Sequence, residues 1–319
     1  MQAIKVKSLS KHFGDAKAVD DISFVVDSGE IFGFLGPNGA GKSTTIMILT
    51  TLLKPTSGSV LVSGHDVSVH PDLVRQSIGY VQQETTVDEY LTGRENLILQ
   101  ARLNHIQKDQ MNARIDDILE LIELDDKQDD PVVTYSGGMR KRLDIAGGLL
   151  HRPDVLFLDE PTVGLDIQTR RKIWEYIKKI HNEFDMSIFL TTHYMEEADN
   201  LCDRVGIIDH GQIQAIDSPQ NMKNTMGRDV IYLDIEGDPI PFMSDLKKIP
   251  QIAEIRSEEK RLVIFTSNAT DILPKIFHML PLAVRITSIS MTRPTLDDVF
   301  ISYTGHEIRD GQKQDKQTM

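Results

Sequence analysis

Three continuous runs of apolar residues predict strands that are buried on both faces. They span Ile31–Leu35, Val155–Leu158 and Ser187–Thr191, and such runs are typical of parallel sheets that are covered by helices. Amphipathic helical patterns lie between them. The longest follows Asp166, whose side chain can cap a helix N-terminus. The apolar side of that helix carries Ile173, Trp174, Ile177 and Ile180. The first two-thirds of the chain therefore predict an α/β fold.

The strand-like pattern disappears between about Glu84 and Gly148, where a helical pattern replaces it. Thr92 and Glu95 have the spacing of a capping box at the start of one helix. Residues Asn112–Leu124 supply a second helix. We predict a helical insertion over residues 84–148, inside an α/β domain that covers residues 1–220.

The pattern changes again after Gly211. Ser218 and Pro219 can start a short helix that Gly227 can end. Six segments follow in the order strand, helix, strand, strand, helix, strand. They span Val230–Ile235, Phe242–Lys248, Ile252–Ile255, Arg261–Phe265, Asp271–Leu280 and Val284–Met291. This order is that of a ferredoxin-like sandwich. We predict a small α+β domain over residues 221–305, with a last helix at Thr295–Tyr303, and a disordered tail over residues 306–319.

Charge and composition narrow the possible functions. The 319 residues include 35 Lys and Arg against 48 Asp and Glu, a net charge of −13. We expect no nucleic-acid partner, since that would need a basic face. No apolar stretch approaches the roughly 20 residues of a membrane span, and no signal-peptide core is present. The single cysteine, Cys202, is expected to be a small buried hydrophobe. These features predict a soluble cytoplasmic protein.

A phosphate-binding loop follows the first buried strand. The segment Gly36–Ser43 fits G-x-x-x-x-G-K-[ST] and precedes a predicted helix at Thr44–Leu53. Its glycines let backbone N–H groups close around a phosphate at the helix N-terminus. Lys42 would reach the β- and γ-phosphates, and the Ser43 hydroxyl would bind Mg²⁺. The predicted nucleotide-binding residues of this loop are Gly36, Pro37, Asn38, Gly39, Ala40, Gly41, Lys42, Ser43 and Thr44.

Two adjacent carboxylates, Asp159 and Glu160, end the second buried strand. Unpaired charges at such a position are costly, so both groups need a partner. Ligands of open α/β sheets bind at the carboxyl ends of the strands. We predict that Asp159 holds the hydration shell of Mg²⁺ and that Glu160 polarises the attacking water.

A third segment, Tyr135–Met139, reads Tyr-Ser-Gly-Gly-Met. With the P-loop and the two carboxylates, it resembles the signature of ABC transporter ATPases, which usually reads Leu-Ser-Gly-Gly-Gln. The resemblance covers about residues 3–220 and implies that Ser136, Gly137 and Gly138 contact a γ-phosphate bound by the P-loop of a second, identical subunit. Tyr135 and Met139 depart from the usual residues, so one side-chain amide contact near the nucleotide is lost.

The resemblance implies roles for four more residues. Phe13 would stack on adenine, although a short aromatic motif also fits a strand or core position. Gln83 would touch Mg²⁺, and the neighbouring Gln82 is an alternative register. Asp166 would cross the dimer interface, in addition to or instead of capping its helix. His193 would contact the γ-phosphate.

The C-terminal part carries a second resemblance. Pro294–Phe300 reads Pro-Thr-Leu-Asp-Asp-Val-Phe, and Tyr-Thr-Gly follows at Tyr303–Gly305. These segments and Tyr135–Asp144 are similar to drug-exporter ATPases of the daunorubicin-resistance type. Alternatively, the apolar residues of the first segment only dock a terminal helix.

The resemblance implies the ATP-hydrolysing subunit of an ABC exporter for drugs or related compounds, with ATP and Mg²⁺ bound. Lys42, Gln83, Glu160 and His193 would serve catalysis. A homodimer would sandwich ATP, and a separate transmembrane permease would hold it at the inner face of the cell membrane. Two other functions stay open: a non-transport ABC ATPase that acts on ribosomes or DNA, and a regulatory switch with little turnover. The net charge argues against the first and Glu160 against the second.

Overall fold

The structure is a computed structural model that describes residues 2–226, 229–237, 239–258, 261–281, 284–292 and 294–306. The chain divides into two units, the first ending at Ser218 and the second beginning at Pro219. Among the described residues, no helix has both the length and the apolar composition that a membrane crossing requires.

The strands of the first unit form two sheets. They are β1 (Gln2–Phe13), β2 (Ala16–Asp27), β3 (Ile31–Leu35), β4 (Ser57–Val62), β5 (His65–Asp66), β6 (Ile78–Val81), β7 (Val155–Asp159), β8 (Ser187–Thr192), β9 (Arg204–Asp209) and β10 (Gln212–Asp217). One sheet is antiparallel, in the order β2-β1-β4-β5, and the other has the order β10-β9-β3-β8-β7-β6. In the second sheet only the edge pair β10–β9 is antiparallel. Strands β3, β7 and β8 are buried along their whole length, which confirms the predicted parallel core.

Phenylalanine side chains join the two sheets. The Phe24 ring of β2 lies 5.7 Å from the Phe32 ring and 6.0 Å from the Phe189 ring, measured between centroids. The sequence pattern did not predict the antiparallel sheet, because register shifts along the β1–β2 pair interrupt the two-residue period. Cys202 is buried as expected, and burial raises the pKa of its thiol.

The helices of the first unit include the predicted insertion. They are α1 (Lys42–Leu49), α2 (Pro71–Ser77), α3 (Gly93–Leu103), α4 (Lys108–Leu121), α5 (Gly137–Leu149), α6 (Ile167–Phe184) and α7 (Met195–Leu201). Helices α3, α4 and α5 occupy the stretch without strands. Thr92 and Glu95 form the predicted capping box of α3, and Asp166 caps α6.

The helix after the P-loop differs from the predicted Thr44–Leu53. Helix α1 begins at Lys42 and ends at Leu49. Thr51 adopts a left-handed conformation, φ 66°, and the Leu53 N–H donates to the Met47 carbonyl oxygen at 3.0 Å. This backward hydrogen bond closes the helix and turns the chain away.

Helix α4 also ends before the predicted Leu124. Glu123 is left-handed, with φ 53°, and the Leu124 N–H donates to the Leu119 carbonyl oxygen at 3.0 Å. The start lies at Lys108, before the predicted Asn112. Apolar periodicity marks the buried side of a helix, but polar first turns extend beyond it.

The second unit contains α8 (Pro219–Met226), β11 (Asp229–Glu236), α9 (Pro239–Leu246), β12 (Ile252–Glu258), β13 (Arg261–Thr266), α10 (Ala269–His278), β14 (Arg285–Thr292) and α11 (Leu296–Thr304). From β11 to β14 the elements have the predicted order, and their antiparallel sheet has the order β12-β13-β11-β14. This is a ferredoxin-like sandwich, whose core includes Ile231, Leu233, Phe242, Ile264 and Ile276. Gly227 and the predicted tail beyond His306 lie outside the described residues.

Candidate active site

The P-loop joins the carboxyl end of β3 to the N-terminus of α1. Gly41 is left-handed, φ 105°, and a Cβ there would lie 2.5 Å from the Ala18 carbonyl oxygen. A Cβ at Gly36 would lie 2.2 Å from the Ile208 carbonyl oxygen. Only glycine fits at these two positions, so the loop can close tightly over the start of the helix. The exposed tip of the loop is formed by Asn38 and Gly39.

Lys42 places a buried cation over this loop. The residue is 4% exposed. Its Nζ donates to the carbonyl oxygens of Gly36 at 2.8 Å and Pro37 at 3.1 Å, and it forms an ion pair with Glu160 Oε1 at 3.1 Å. Burial lowers the pKa of Lys42, while the charges of Glu160 and Asp159 oppose that shift. The ammonium is therefore held where a phosphate at the helix N-terminus would meet it.

Asp159 and Glu160 are held by the neighbouring strand β8. The Thr191 hydroxyl donates to Asp159 Oδ1, and the Glu160 N–H donates to the Thr191 carbonyl and hydroxyl oxygens, each at 3.1 Å. Glu160 is left-handed, φ 46°, a conformation that costs a non-glycine residue about 1–3 kcal/mol. Thr191 thus fixes the Asp159 carboxylate and the backbone of Glu160. The sequence pattern did not predict this role of Thr191, although two adjacent threonines at the end of an apolar strand were a signal.

Glu160 lies between two basic groups. Its Oε1 faces Lys42, and its Oε2 accepts a hydrogen bond from His193 Nδ1 at 3.0 Å. Burial opposes ionisation, but the hydrogen bond from His193 and the charge of Lys42 outweigh it, so the pKa of Glu160 is lowered. For Asp159 burial dominates, and with the charge of Glu160 it raises the pKa of that carboxyl. Two carboxylates of different basicity therefore lie side by side.

The donor set at this end of the sheet suits a hard divalent cation. The Ser43 hydroxyl lies close enough to the Asp159 carboxylate to lower the pKa of that carboxyl, so two oxygen atoms that Mg²⁺ prefers lie near each other. The Lys42 ammonium acts on both carboxylates and lowers the pKa of each, against the effect of burial. Gln83 lies just after β6, the strand beside β7, with its side chain exposed, as is that of Gln82. These residues fit Mg²⁺.

The signature segment lies at the start of α5. Ser136 caps the helix, with its Oγ accepting from the Met139 N–H at 3.3 Å, and Ser136 and Gly137 are exposed. Tyr135 is buried, and its hydroxyl donates to the Lys127 carbonyl oxygen. Within the described part of the chain, no hydrogen bond joins Ser136–Gly138 to the P-loop.

Asp166 and Phe13 are both exposed. Asp166 accepts from the N–H groups of Gln168 and Thr169, each at 3.0 Å, and from the Thr169 hydroxyl at 2.6 Å. The hydrogen bonds from Thr169 lower its pKa. Phe13 ends β1 with 51% of its surface exposed, and Lys11 Nζ lies 5.0 Å from its ring centroid. Phe13 therefore lies in a strand, which agrees with one alternative to adenine stacking, but its side chain lies outside the core.

Three features of this site are typical of ABC-type ATPases. They are the P-loop, the two strand-end carboxylates with a nearby histidine, and the Ser-Gly-Gly start of a helix in the insertion. The family model of the ABC transporter matches residues 19–163. A second model, described as the C-terminal domain of DrrA1-3-like ATP-binding proteins, matches residues 218–304.

Relatives of known name cover nearly the whole chain. A daunorubicin resistance ATP-binding protein of Streptomyces coeruleorubidus is 39% identical, covering 95% of each chain. A Nod factor export ATP-binding protein of Sinorhizobium fredii is 38% identical over 97% of this chain and 88% of the relative. A dimeric ATP-binding cassette bound to ADP and Pi superposes with a TM-score of 0.60 at 26% identity, over 67% of this chain and 98% of that chain. The chain belongs to the ABC transporter ATP-binding proteins with a DrrA-like C-terminal domain, a family that binds ATP.

Proposed function

We propose that this chain is the ATP-hydrolysing subunit of an ABC exporter and drives a separate membrane permease. Relatives named for daunorubicin resistance and for Nod factor export support export as the process. Because the two names refer to chemically different compounds, the permease and not this chain would select the exported compound. The subunit would work at the inner face of the membrane, held there by that permease.

The arrangement around Glu160 carries the proposal. The carboxylate is ionised at neutral pH because its pKa is lowered, and it lies within reach of both Lys42 and His193. When the γ-phosphate of ATP draws the Lys42 ammonium away, Glu160 loses the charge that keeps it a weak base. Its pKa then rises, and it can accept a proton from the attacking water. His193 keeps the carboxylate oriented and contacts the γ-phosphate.

The remaining residues of the site bind and orient ATP. Backbone N–H groups of Gly36–Thr44 and the Lys42 ammonium bind the phosphates, and Phe13 stacks on the adenine. Ser43, Asp159 and Gln83 would hold Mg²⁺, which would supply positive charge to neutralise the phosphate oxygens. Such a site speeds hydrolysis by positioning the reacting groups and by stabilising the charge that develops on them.

A second copy of the chain completes the site in this proposal. Ser136, Gly137 and Gly138 of one copy bind the γ-phosphate held by the P-loop of the other, and Asp166 lies at the same interface. The exposure of Ser136, Gly137 and Asp166 at the starts of α5 and α6 supports this assignment. The related cassette that was solved as a dimer with ADP and Pi gives further support. A two-fold homodimer has two such sites.

The test measures hydrolysis and export separately. ATPase activity of the purified chain is compared with that of Glu160→Gln and of Glu196→Gln, a control on the exposed side of α7. Export is then measured in cells that carry this chain together with a candidate permease, as the intracellular level of a toxic compound. ATPase activity without export would favour a non-transport ATPase. Binding of ATP with negligible turnover by the wild type would favour the regulatory switch.

A further inference from the structure

Helix α5 carries a buried ion pair that the proposed chemistry does not use. Lys141 and Asp144 have side chains that are only 6% and 4% exposed, with Lys141 Nζ 3.7 Å from Asp144 Oδ2. Burial lowers the pKa of Lys141 and raises that of Asp144, against the attraction between the two charges. Buried ion pairs rarely add net stability compared with apolar side chains, so this pair needs another explanation.

Both residues contact the loop that follows β6. Lys141 Nζ donates to the Gln82 carbonyl oxygen at 2.8 Å and approaches that of Gln83 at 3.5 Å. Asp144 Oδ1 accepts from the Thr86 N–H at 3.2 Å and the Thr86 hydroxyl at 2.7 Å. The pair therefore holds both ends of the loop Gln82–Thr86, while the Gln83 side chain stays exposed.

The same helix begins at the signature segment. Ser136 caps α5, and Arg140 Nε donates to the Tyr135 carbonyl oxygen at 3.2 Å. Lys141 is also within electrostatic range of Asp159, whose charge acts on it. One rigid helix therefore connects the signature segment, the loop with Gln83 and the vicinity of the strand-end carboxylate.

We propose that Lys141 and Asp144 are positioning residues that clasp the Gln82–Thr86 loop to α5, so that Gln83 is placed by the helix that Ser136 caps. A displacement of the signature segment would then move Gln83 as well. The expected effect on hydrolysis rests on the proposed function, because that function gives Gln83 its role. The contacts between the ion pair and the loop do not depend on it. A pair that only stabilised the fold would have no connection to Gln83.

Two variants of the full chain open the clasp. Lys141→Met removes the ammonium and keeps the chain length, and Lys141→Met/Asp144→Leu removes both charges, so it avoids an unpaired buried carboxylate. Lys141→Arg keeps a donor and a charge. Lys127→Met is the matched control, because Lys127 pairs with Asp130 on the exposed surface of the same insertion.

Hydrogen exchange tests the clasp without turnover. In nucleotide-free protein, peptides that cover the whole loop Gln82–Thr86 should exchange faster in both clasp variants than in the wild type, and most in the double variant, which also removes the bonds from Thr86 to Asp144. Lys127→Met and Lys141→Arg should stay close to the wild type. Unchanged exchange in the double variant would overturn the proposal. This measurement is decisive even if the chain hydrolyses no ATP, an outcome that would refute the proposed function instead.

Kinetics test the connection to Gln83. We expect Lys141→Met to lower kcat by about 10- to 100-fold, the cost of misplacing a contact near the reacting groups, with little change in ATP affinity. Adding Gln83→Ala should give no further loss, because residues that act through one another are not additive. Fully additive losses, or a normal kcat in a variant whose loop exchanges faster, would overturn the proposal. Restored kcat in Lys141→Arg would support it.

Discussion

Replacing Glu160 by glutamine isolates the proposed base. Glutamine keeps the size of the side chain and an oxygen that can face Lys42 or His193, but it has neither the negative charge nor useful basicity. The Lys42 ammonium loses its ion-pair partner at 3.1 Å and keeps the two carbonyl oxygens of the P-loop. The charge that raises the pKa of Asp159 disappears as well, so that pKa falls toward its ordinary value.

Two magnitudes follow from this geometry. Loss of a general base typically slows a reaction by about 10²–10⁴-fold, which corresponds to about 3–5 kcal/mol of activation free energy. Without nucleotide, the unpaired Lys42 should lower the free energy of unfolding by about 1–3 kcal/mol, since both partners of the ion pair are buried. With ATP this loss should vanish, because the phosphates replace the missing carboxylate.

Three measurements on one preparation check this reasoning. Steady-state phosphate release gives the rate, denaturant melts with and without MgATP give the stability, and sedimentation gives the oligomeric state. We expect slow turnover, a larger gain in stability from ATP than in the wild type, and a dimer that persists with MgATP. The control Glu196→Gln should match the wild type in all three. Turnover near the wild-type rate in Glu160→Gln would refute the assignment of the base.

Three further predictions concern other parts of the chain. Lys42→Ala should weaken MgATP binding itself, measured by calorimetry, and stay monomeric with ATP; behaviour identical to Glu160→Gln would contradict the separate roles. Burial raises the pKa of Glu197 above its ordinary 4.5, so the folded protein holds this proton more tightly than the unfolded chain does. The free energy of unfolding of the wild type should therefore fall as the pH rises from 4.5 through the raised pKa. Urea melts across pH should show that this fall is absent in Glu197→Gln. A chain that ends at Ser218 should hydrolyse ATP but fail to support export, and a folded truncation that cannot bind ATP would show that the second unit completes the site.

Much of the nucleotide site could be predicted because its parts are continuous in sequence. The P-loop is one segment in which a strand, a glycine-rich turn and a helix start follow each other, so residue order alone implies phosphate chemistry. The N-caps at Ser136 and Asp166 are also local, since each side chain bonds to backbone within three residues. The ferredoxin-like order could be predicted for the same reason, as its strands and helices alternate along the chain.

Sequence patterns located the ends of elements less well. Helix α1 ends before the predicted Leu53, because Leu52 and Leu53 favour a helix while Thr51 is left-handed. The sheet of β1 and β2 was missed, because bulges broke the alternation that marks a strand. In both cases local backbone irregularities override the average preference of the neighbouring residues.

The motifs specify which chemical groups the chain can bring to a nucleotide, because each motif is local in sequence. Which of these groups meet depends on the tertiary structure. Glu160 and His193 directly follow β7 and β8, and Lys42 begins the helix after β3, so their contact depends on the order β3-β8-β7. The support of Asp159 by Thr191 depends on the register of β7 against β8. The clasp between α5 and the Gln82–Thr86 loop likewise joins residues that are far apart in sequence. Such contacts come from the packing of buried strands and helices, which has no signature in a single segment.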